Sequence, residues 1–396
     1  MLKITMLNDC GIPPENIGGI EQYSKDLATT LKNAGNIINI ICPSNHHIKN
    51  DLNFGLSTIK PFGNFWSRRP VSDISYNIMF RKLYYAAKKN IINTDIIHTH
   101  NPYAAGFAGK LLSNHFCIPA IMTFHTSMGN DNLDFLKNRE FSYYEKFMKR
   151  SIDDYSFLVV NTNTLKSILV QRFGLEPSKI KVIPPAVDIE RFAPGNSGLE
   201  IRKKLKIPNE GFLIIFVGRL VSTKGIEYLI RAIEKIKNKN VFSLIIGEGN
   251  KKDTLIKYCK ENNLGLEKNI FFLGRIEDLN LPTYYAASDA LVLPSLGEGF
   301  GIVFLEAWAS GKPVIAADTP IIRNDVIRDG ITGLICKSKD VDSLAEKIEI
   351  LRLDTSLCKK LGENGRKLVT EEHSFPAFLK KYLNVYQEAI AQKISI

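Results

Sequence analysis

Short runs of β-branched and aliphatic residues, each closed by Gly, Pro or Asn, alternate along this chain with longer stretches whose apolar positions recur every three or four residues. That alternation predicts parallel sheets with crossover helices, an α/β fold. In the first half the expected strands are Leu2 to Leu7, Ile37 to Ile41, Ile96 to His98, Ala120 to Thr123, Phe157 to Val160 and Lys181 to Ile183. Pro184, Pro185, Pro194 and Gly195 then punctuate the sequence and read as an interdomain hinge. The pattern restarts with Phe212 to Val217, Phe242 to Ile246, Ile270 to Leu273, Ala290 to Leu293 and Pro313 to Ala316. Two Rossmann-like domains, 1–189 and 190–375, are expected to face each other, so that ligands bind between the carboxyl ends of their strands. A final helical stretch, about 376–393, has no obvious partner strand and is compatible with capping either half.

The length, 396 residues, suits two domains that each bury a core, and 44% hydrophobic with 23% charged residues is ordinary globular composition. A net charge of +11 favours an anionic partner without choosing among phosphates, nucleic acid and lipid, and it is shared almost evenly by the two halves. No apolar run approaches the roughly 20 residues of a membrane span. The start of the chain reads as a first strand, not as a signal peptide, because Asp9 closes its apolar stretch with no small-residue cleavage site behind it. Six scattered cysteines without a C-x-x-C pair favour free thiols in a reducing cytoplasm.

The most informative segment is Leu291 to Gly311, LVLPSLGEGFGIVFLEAWASG. A buried strand is expected to end at Pro294, a loop to carry Glu298, Gly299, Phe300 and Gly301, and a helix to begin near Ile302 and contain Glu306. Glycines around Phe300 let a ligand approach backbone N–H groups, and a helix amino end attracts an anion. The two carboxylates are suited to accept hydrogen bonds from sugar hydroxyls, or equally to be solvated surface charges. In the second segment, FLIIFVGRLVSTKGIEY, Arg219 and Lys224 lie between a strand and a helix that starts near Gly225. Two cations there form a diphosphate clamp or ordinary surface charge. In the first half, Gly18 and Gly19 in IGGIE open the helix Glu21 to Lys32, as a phosphate contact or a plain tight turn.

His98 and His100 share one face of a strand, but a metal site needs a third ligand that the sequence does not nominate. His125, in TFHTSM after the strand Ala120 to Thr123, is either functional or a packed, hydrogen-bonded core histidine. Several absences narrow the field. There is no G-x-G-x-x-G after the first strand, no P-loop and no G-x-S-x-G elbow, which disfavours dinucleotide oxidoreductases, P-loop NTPases and α/β-hydrolases. The one D-x-D, Asp340 and Asp342, precedes a late helix, where capping is the expected use.

Taken together, Gly18-Gly19 with Glu21, TFHTS around His125, Gly218-Arg219 with Lys224-Gly225, and Glu298-x7-Glu306 resemble the retaining glycosyltransferases of family 4, which have the GT-B fold. The resemblance spans most of the chain. It implies transfer of a hexosyl unit from a nucleotide-diphosphate sugar, a UDP-sugar or GDP-mannose, to a glycan, lipid-linked or small-molecule acceptor. Arg219 and Lys224 would hold the diphosphate, Glu306 the ribose hydroxyls and Glu298 the donor sugar. The backbone around Arg275 and Ile276 would meet the base, Gly19 the distal phosphate, and His125 would sit beside the sugar. Neither metal nor other cofactor is implied, because protein cations neutralise the leaving diphosphate. Pro185-Ala186 before Val187-Asp188 departs from the family's usual Asn-Gly or Pro-Gly hinge turn. A noncatalytic sugar-nucleotide or glycan-binding protein, a GT-B epimerase and a phosphorylase are the alternatives; the last should carry a pyridoxal-phosphate lysine that the sequence does not identify.

A final expectation concerns Ile74 to Lys89, read as a helix after Arg68-Arg69. At 100° per residue, Tyr76, Phe80, Leu83, Tyr84 and Ala87 share one face and Arg81, Lys82, Lys88 and Lys89 the other, with Ile78 and Tyr85 intruding on the basic side. Either this is a crossover helix with solvated lysines, or the basic face docks on anionic lipid, making the protein cytoplasmic and peripheral at the inner face of a membrane. No nucleic-acid partner is expected.

Overall fold

Every strand pairing is parallel in the computed structural model, which describes residues 1–9, 18–43, 55–59, 73–125, 149–236 and 240–394. Two compact units make up the chain: Met1–Pro185 joined by Pro376–Ile396, and Ala186–Phe375.

The first unit runs β1 (Lys3–Asn8), α1 (Gly19–Asn33), β2 (Ile37–Pro43), β3 (Gly55–Ile59), α2 (Asp73–Asn90), β4 (Ile96–His100), α3 (Ala104–Phe116), β5 (Ala120–Phe124), β6 (Phe157–Val160), α4 (Asn163–Phe173) and β7 (Ile180–Val182). Its strands are ordered β3-β2-β1-β4-β5-β6-β7. The chain winds outward from β1 on one side and resumes at β4 on the other, so β1 and β4 flank a topological switch point. Register places Asn8 opposite His100 and His100 opposite Thr123, which lines up the carboxyl ends of β1, β4 and β5. Central strands are buried on both faces, as β4 and β5 are throughout, so the polar residues at their carboxyl ends, His98, Thr99, His100 and Thr123, are buried too. Edge strand β3, GLSTI, was not foreseen; it has no fully buried position and lacks that signal.

The second unit comprises α5 (Leu199–Lys204), β8 (Phe212–Val217), α6 (Ile226–Ile236), β9 (Val241–Ile246), α7 (Lys252–Glu261), β10 (Ile270–Gly274), α8 (Leu281–Ala287), β11 (Ala290–Leu293), α9 (Ile302–Ala309), β12 (Val314–Ala317), β13 (Gly333–Cys336), α10 (Val341–Leu353) and α11 (Thr355–Glu372). Its order, β10-β9-β8-β11-β12-β13, puts a second switch point between β8 and β11. The short strand β13, also unforeseen, closes that sheet. Asp340 caps α10 by accepting from Ser343 N at 2.9 Å, and Asp342 pairs with Lys235.

The last helix, α12 (Phe375–Ile394), belongs to the first unit. Phe378, Tyr382, Val385, Tyr386 and Ala389 are buried along it at spacings of three and four residues. Glu388 adds an ion pair to Lys181 of β7 at 2.8 Å. No helix among the described residues is long and apolar enough to cross a membrane.

Candidate active site

Two loops at the β8–β11 switch point carry most of the chemistry. The first runs from Gly218 through a single 3₁₀ turn, Ser222–Lys224, and ends at Gly225, whose φ of +63° suits a residue without a Cβ. A side chain there would also run into the Pro294 carbonyl at the end of β11. The second loop, Pro294–Gly301, is tied to the first by Leu296 N donating to Thr223 O at 2.9 Å. The two are therefore one packed assembly, and motifs some seventy residues apart in sequence are brought together.

Within it, Glu298 is buried and its Oε1 accepts from Lys224 Nζ at 2.5 Å and from Ser295 Oγ at 2.7 Å. Arg219 stands exposed just past the end of β8. Gly301, at φ +90°, precedes the first turn of α9 and offers no side chain to its amides; Phe304 N donates to the Gly301 carbonyl at 3.0 Å, which leaves the Ile302 and Val303 N–H groups for an outside acceptor. Phe300 is buried, with its ring tilted against His373 at 5.4 Å. Gly299 separates Glu298 from Phe300 along the loop.

Glu306, further along α9, is also buried and accepts from the Tyr285 hydroxyl of α8 at 2.7 Å. Burial pushes its carboxyl up to about 7, opposed by the Tyr285 hydrogen bond and by the positive charge of Arg191. Arg191 is itself clamped by both oxygens of Asp278, at 2.8 and 2.9 Å. That fork also fixes the turn after β10 in which Arg275 is exposed and Ile276 packs on the core. Ser295, Tyr285, Arg191 and Asp278 carried no sequence signal.

The site residues of the first unit lie elsewhere on the chain. Gly18 is the N-cap of α1 and Gly19 its first residue; a Cβ on Gly18 would strike the Glu21 carboxylate. His125 follows β5 and is buried. Its backbone N–H donates to Asn101 Oδ1 at 3.2 Å, and its Nε2 lies 2.8 Å from His100 Nδ1. Burial holds His98 and His125 near 3, and drives His100 far below the usual imidazole range, so all three are neutral. Among the described residues, no group of three or more His, Cys, Asp or Glu side chains could hold a metal ion, and His98 and His100 gain no third ligand. Asp9, past the end of β1, accepts from Ala105 N at 2.8 Å and caps α3; burial pushes its carboxyl up to about 8.

With the geometry established, comparison with known proteins assigns the family. The family model described as Glycosyltransferase Family 4 matches residues 17–191 and that described as Glycosyl transferases group 1 matches residues 198–368. A D-inositol 3-phosphate glycosyltransferase of Corynebacterium glutamicum is 30% identical over 77% of this chain and 75% of its own. This chain belongs to glycosyltransferase family 4. Among solved structures, the family 4 fold here is similar to the sucrose-phosphate synthase of Thermosynechococcus elongatus, with a TM-score of 0.82 at 23% identity over 99% of this chain and 100% of that one. It is also similar to the Anabaena HepE protein in complex with UDP-glucose, with a TM-score of 0.77 at 20% identity over the whole of both chains. The enzyme is a glycosyltransferase with two Rossmann-like domains, the GT-B architecture expected from sequence.

The raised Glu306 carboxyl makes a pH prediction. On the expectation that Glu306 accepts from ribose hydroxyls, which donate, nucleotide binding selects the ionised carboxylate and expels a proton when the pH is below about 7. Affinity for UDP or GDP should therefore rise from pH 6 to 8 and level off above, by up to about tenfold per pH unit on the acid side. Calorimetry over that range, with Glu306→Gln as the control that shares the nucleotide's own ionisation, should show a step beyond that ionisation only in the wild type.

Proposed function

We propose that this family 4 enzyme transfers a hexosyl unit, with retention, from a nucleotide-diphosphate sugar to a glycan, lipid-linked or small-molecule acceptor. The observation that carries this reading is the cation and carboxylate assembly at the β8–β11 switch point, in which Lys224, Glu298 and Ser295 converge beside the open amides of α9. Negative charge builds on the diphosphate as the glycosidic bond breaks. Arg219 and the amides of Ile302 and Val303 are donors for that charge at the loop and helix start, and Lys224 joins them by turning from Glu298. Glu298, held by two hydrogen bonds, accepts from the donor sugar once Lys224 turns to phosphate, and Glu306 accepts from the ribose. The turn at Arg275 and Ile276 meets the base, with Arg191 and Asp278 bracing it. From the first unit, Gly18 and Gly19 approach the distal phosphate and His125 the sugar. The complex of the Anabaena relative with UDP-glucose supports a donor of this class.

A panel of UDP-glucose, UDP-N-acetylglucosamine and GDP-mannose in a thermal-shift assay tests the reading. A donor at 100 times its dissociation constant adds about 2.7 kcal/mol. One donor should stand out, and product analysis with and without acceptor should then show transfer; an altered sugar nucleotide without acceptor, or binding without turnover, would overturn it.

We also propose that the acceptor side of the enzyme rests on anionic lipid at the cytoplasmic face of a membrane. On α2, Met79, Leu83 and Ala87 are buried, whereas Arg81, Tyr85, Lys88 and Lys89 are exposed, with Ile92 following. Tyr85, 62% exposed, and Ile92, 77% exposed, therefore stand among cations and not in a core. Lys82 is half-buried and makes its own contact within the fold, while Arg68 and Arg69 lie outside the described residues. Three cations at about 1 kcal/mol each, with two apolar tips between them, suit reversible peripheral binding. Sedimentation with liposomes should rise with anionic lipid and fall with salt. It should drop when Arg81, Lys88 and Lys89 are changed to Ser; binding indifferent to those changes would remove the surface.

A further inference from the structure

Three histidines and three tyrosines are packed together at the carboxyl ends of β4 and β5, and their hydrogens can be assigned by counting. His98 Nδ1 lies 2.7 Å from the Tyr386 hydroxyl, and its Nε2 lies 2.8 Å from Thr123 Oγ1. Thr123 Oγ1 continues to Tyr382 at 2.8 Å, Tyr382 to Tyr23 at 2.7 Å, and Tyr23 to the Ile183 carbonyl at 3.4 Å. The carbonyl can only accept, and each hydroxyl has one hydrogen. All five hydrogens find acceptors in one direction only: Tyr386 to His98, His98 to Thr123, Thr123 to Tyr382, Tyr382 to Tyr23, Tyr23 to Ile183. The reverse direction would leave the buried Tyr386 hydrogen and the Ile183 carbonyl unused. His98 is therefore the Nε2–H tautomer, with its ring fixed at both nitrogens.

Two arms lead from this chain to His125. The His98 ring stacks on His100 at 4.4 Å and 23°, and His100 bonds His125 Nε2 through Nδ1. On the other side, the Tyr23 ring meets His125 edge-on, with centroids 4.6 Å apart and 74° between planes. His100 Nε2 is buried without a partner. An orphan lone pair is tolerated better than an orphan N–H, so His100 donates from Nδ1. His125 is left with Nε2 as acceptor and Nδ1–H as its free donor.

We infer that Tyr382 and Tyr386, on the last helix, are positioning residues for His125, holding the ring it presents to the donor sugar through the Tyr23 edge contact and the His98–His100 stack. The inference rests on the reading of His125 as a sugar contact. The helix α12 belongs to the first unit and the proposed nucleotide contacts to the second, so the effect should appear in turnover and not in nucleotide affinity.

The test is Tyr386→Phe, which keeps the ring and removes the hydrogen bond to His98, alone and combined with His125→Ala. Steady-state turnover, affinity for the nucleoside diphosphate of the preferred donor, and nitrogen NMR of labelled histidines are measured on the full chain. Turnover is expected to fall between about 10- and about 100-fold, the range for misplacement of a site group from a distance. Affinity for the diphosphate should hold, and the His98 tautomer signal should be lost. In the His125→Ala background Tyr386→Phe should cost nothing more, since coupled residues are not additive. Normal turnover and unchanged tautomers in Tyr386→Phe would overturn the inference while leaving His125 as a site residue. An equal loss in both backgrounds would do so too. Normal turnover in His125→Ala alone would instead remove the reading of His125 itself. Should Tyr386→Phe fail to fold, Tyr382→Phe tests the other arm, since its ring keeps the contacts to Phe378 and Tyr23.

Discussion

Glu298→Gln and Arg219→Ala should each lower transfer by about 100-fold or more while the protein stays folded. The two losses should differ in kind. Arg219 is exposed at the end of β8, so its removal costs the fold little, and the loss falls on charge that must be neutralised as the diphosphate leaves. Nucleoside diphosphate affinity should fall along with turnover. Glu298 is buried with Lys224 and Ser295 on the same oxygen, and glutamine keeps its volume and one acceptor. Diphosphate binding should therefore survive in Glu298→Gln, while the donor sugar loses its contact and turnover collapses. Steady-state kinetics beside calorimetric titration with the diphosphate separates these outcomes. Near-normal turnover in either variant would remove the site.

The largest effect on stability is expected at Tyr382→Ala. The side chain is fully buried, its ring meets Phe378 at 5.0 Å, and its hydroxyl bridges Thr123 and Tyr23. Loss of a buried aromatic costs about 3 to 5 kcal/mol, and the stranded hydroxyls of Thr123 and Tyr23 add about 1 to 3 kcal/mol. Because the helix belongs to the first unit, the damage should be local. Hydrogen exchange should lose protection in β4 and β5 while β8 and β11 keep theirs. Equal loss in both units would contradict the assignment of α12.

How much of this was legible in the sequence follows from what each signal depends on. Phe212–Val217 announced β8 because five of its six residues are buried and the strand sits mid-sheet. The edge strand Gly55–Ile59 and the four-residue β13 present too few apolar positions to stand out. Arg219, Lys224 and Glu298 were legible as candidates because each sits in a loop after a strand, among glycines, and Glu306 because of its spacing from Glu298. Their partners were not. Tyr285 is 21 residues from Glu306, Arg191 is 87 from Asp278, and Tyr23 is 359 from Tyr382. Such hydrogen bonds exist only through tertiary proximity, which no local pattern records. The last helix was legible as a stretch at about 376–393, but not the half it joins, because the burial of Phe378, Tyr382 and Tyr386 depends on partners far away in sequence.

That the first unit is assembled from both ends of the chain has a consequence for its birth on the ribosome. When Pro185 has been added, every strand of its sheet exists, yet Tyr382 and Tyr386 do not. At about 5 to 20 residues per second, roughly 10 to 40 seconds of synthesis separate the two. Throughout that interval His98, Thr123 and Tyr23 lack their hydroxyl partners on α12. The second unit, whose residues are contiguous, is translated whole in the meantime. The half of the protein that emerges first is thus the half that finishes folding last, and a nascent chain stalled before Tyr382 would present an unfinished, polar-lined face to chaperones.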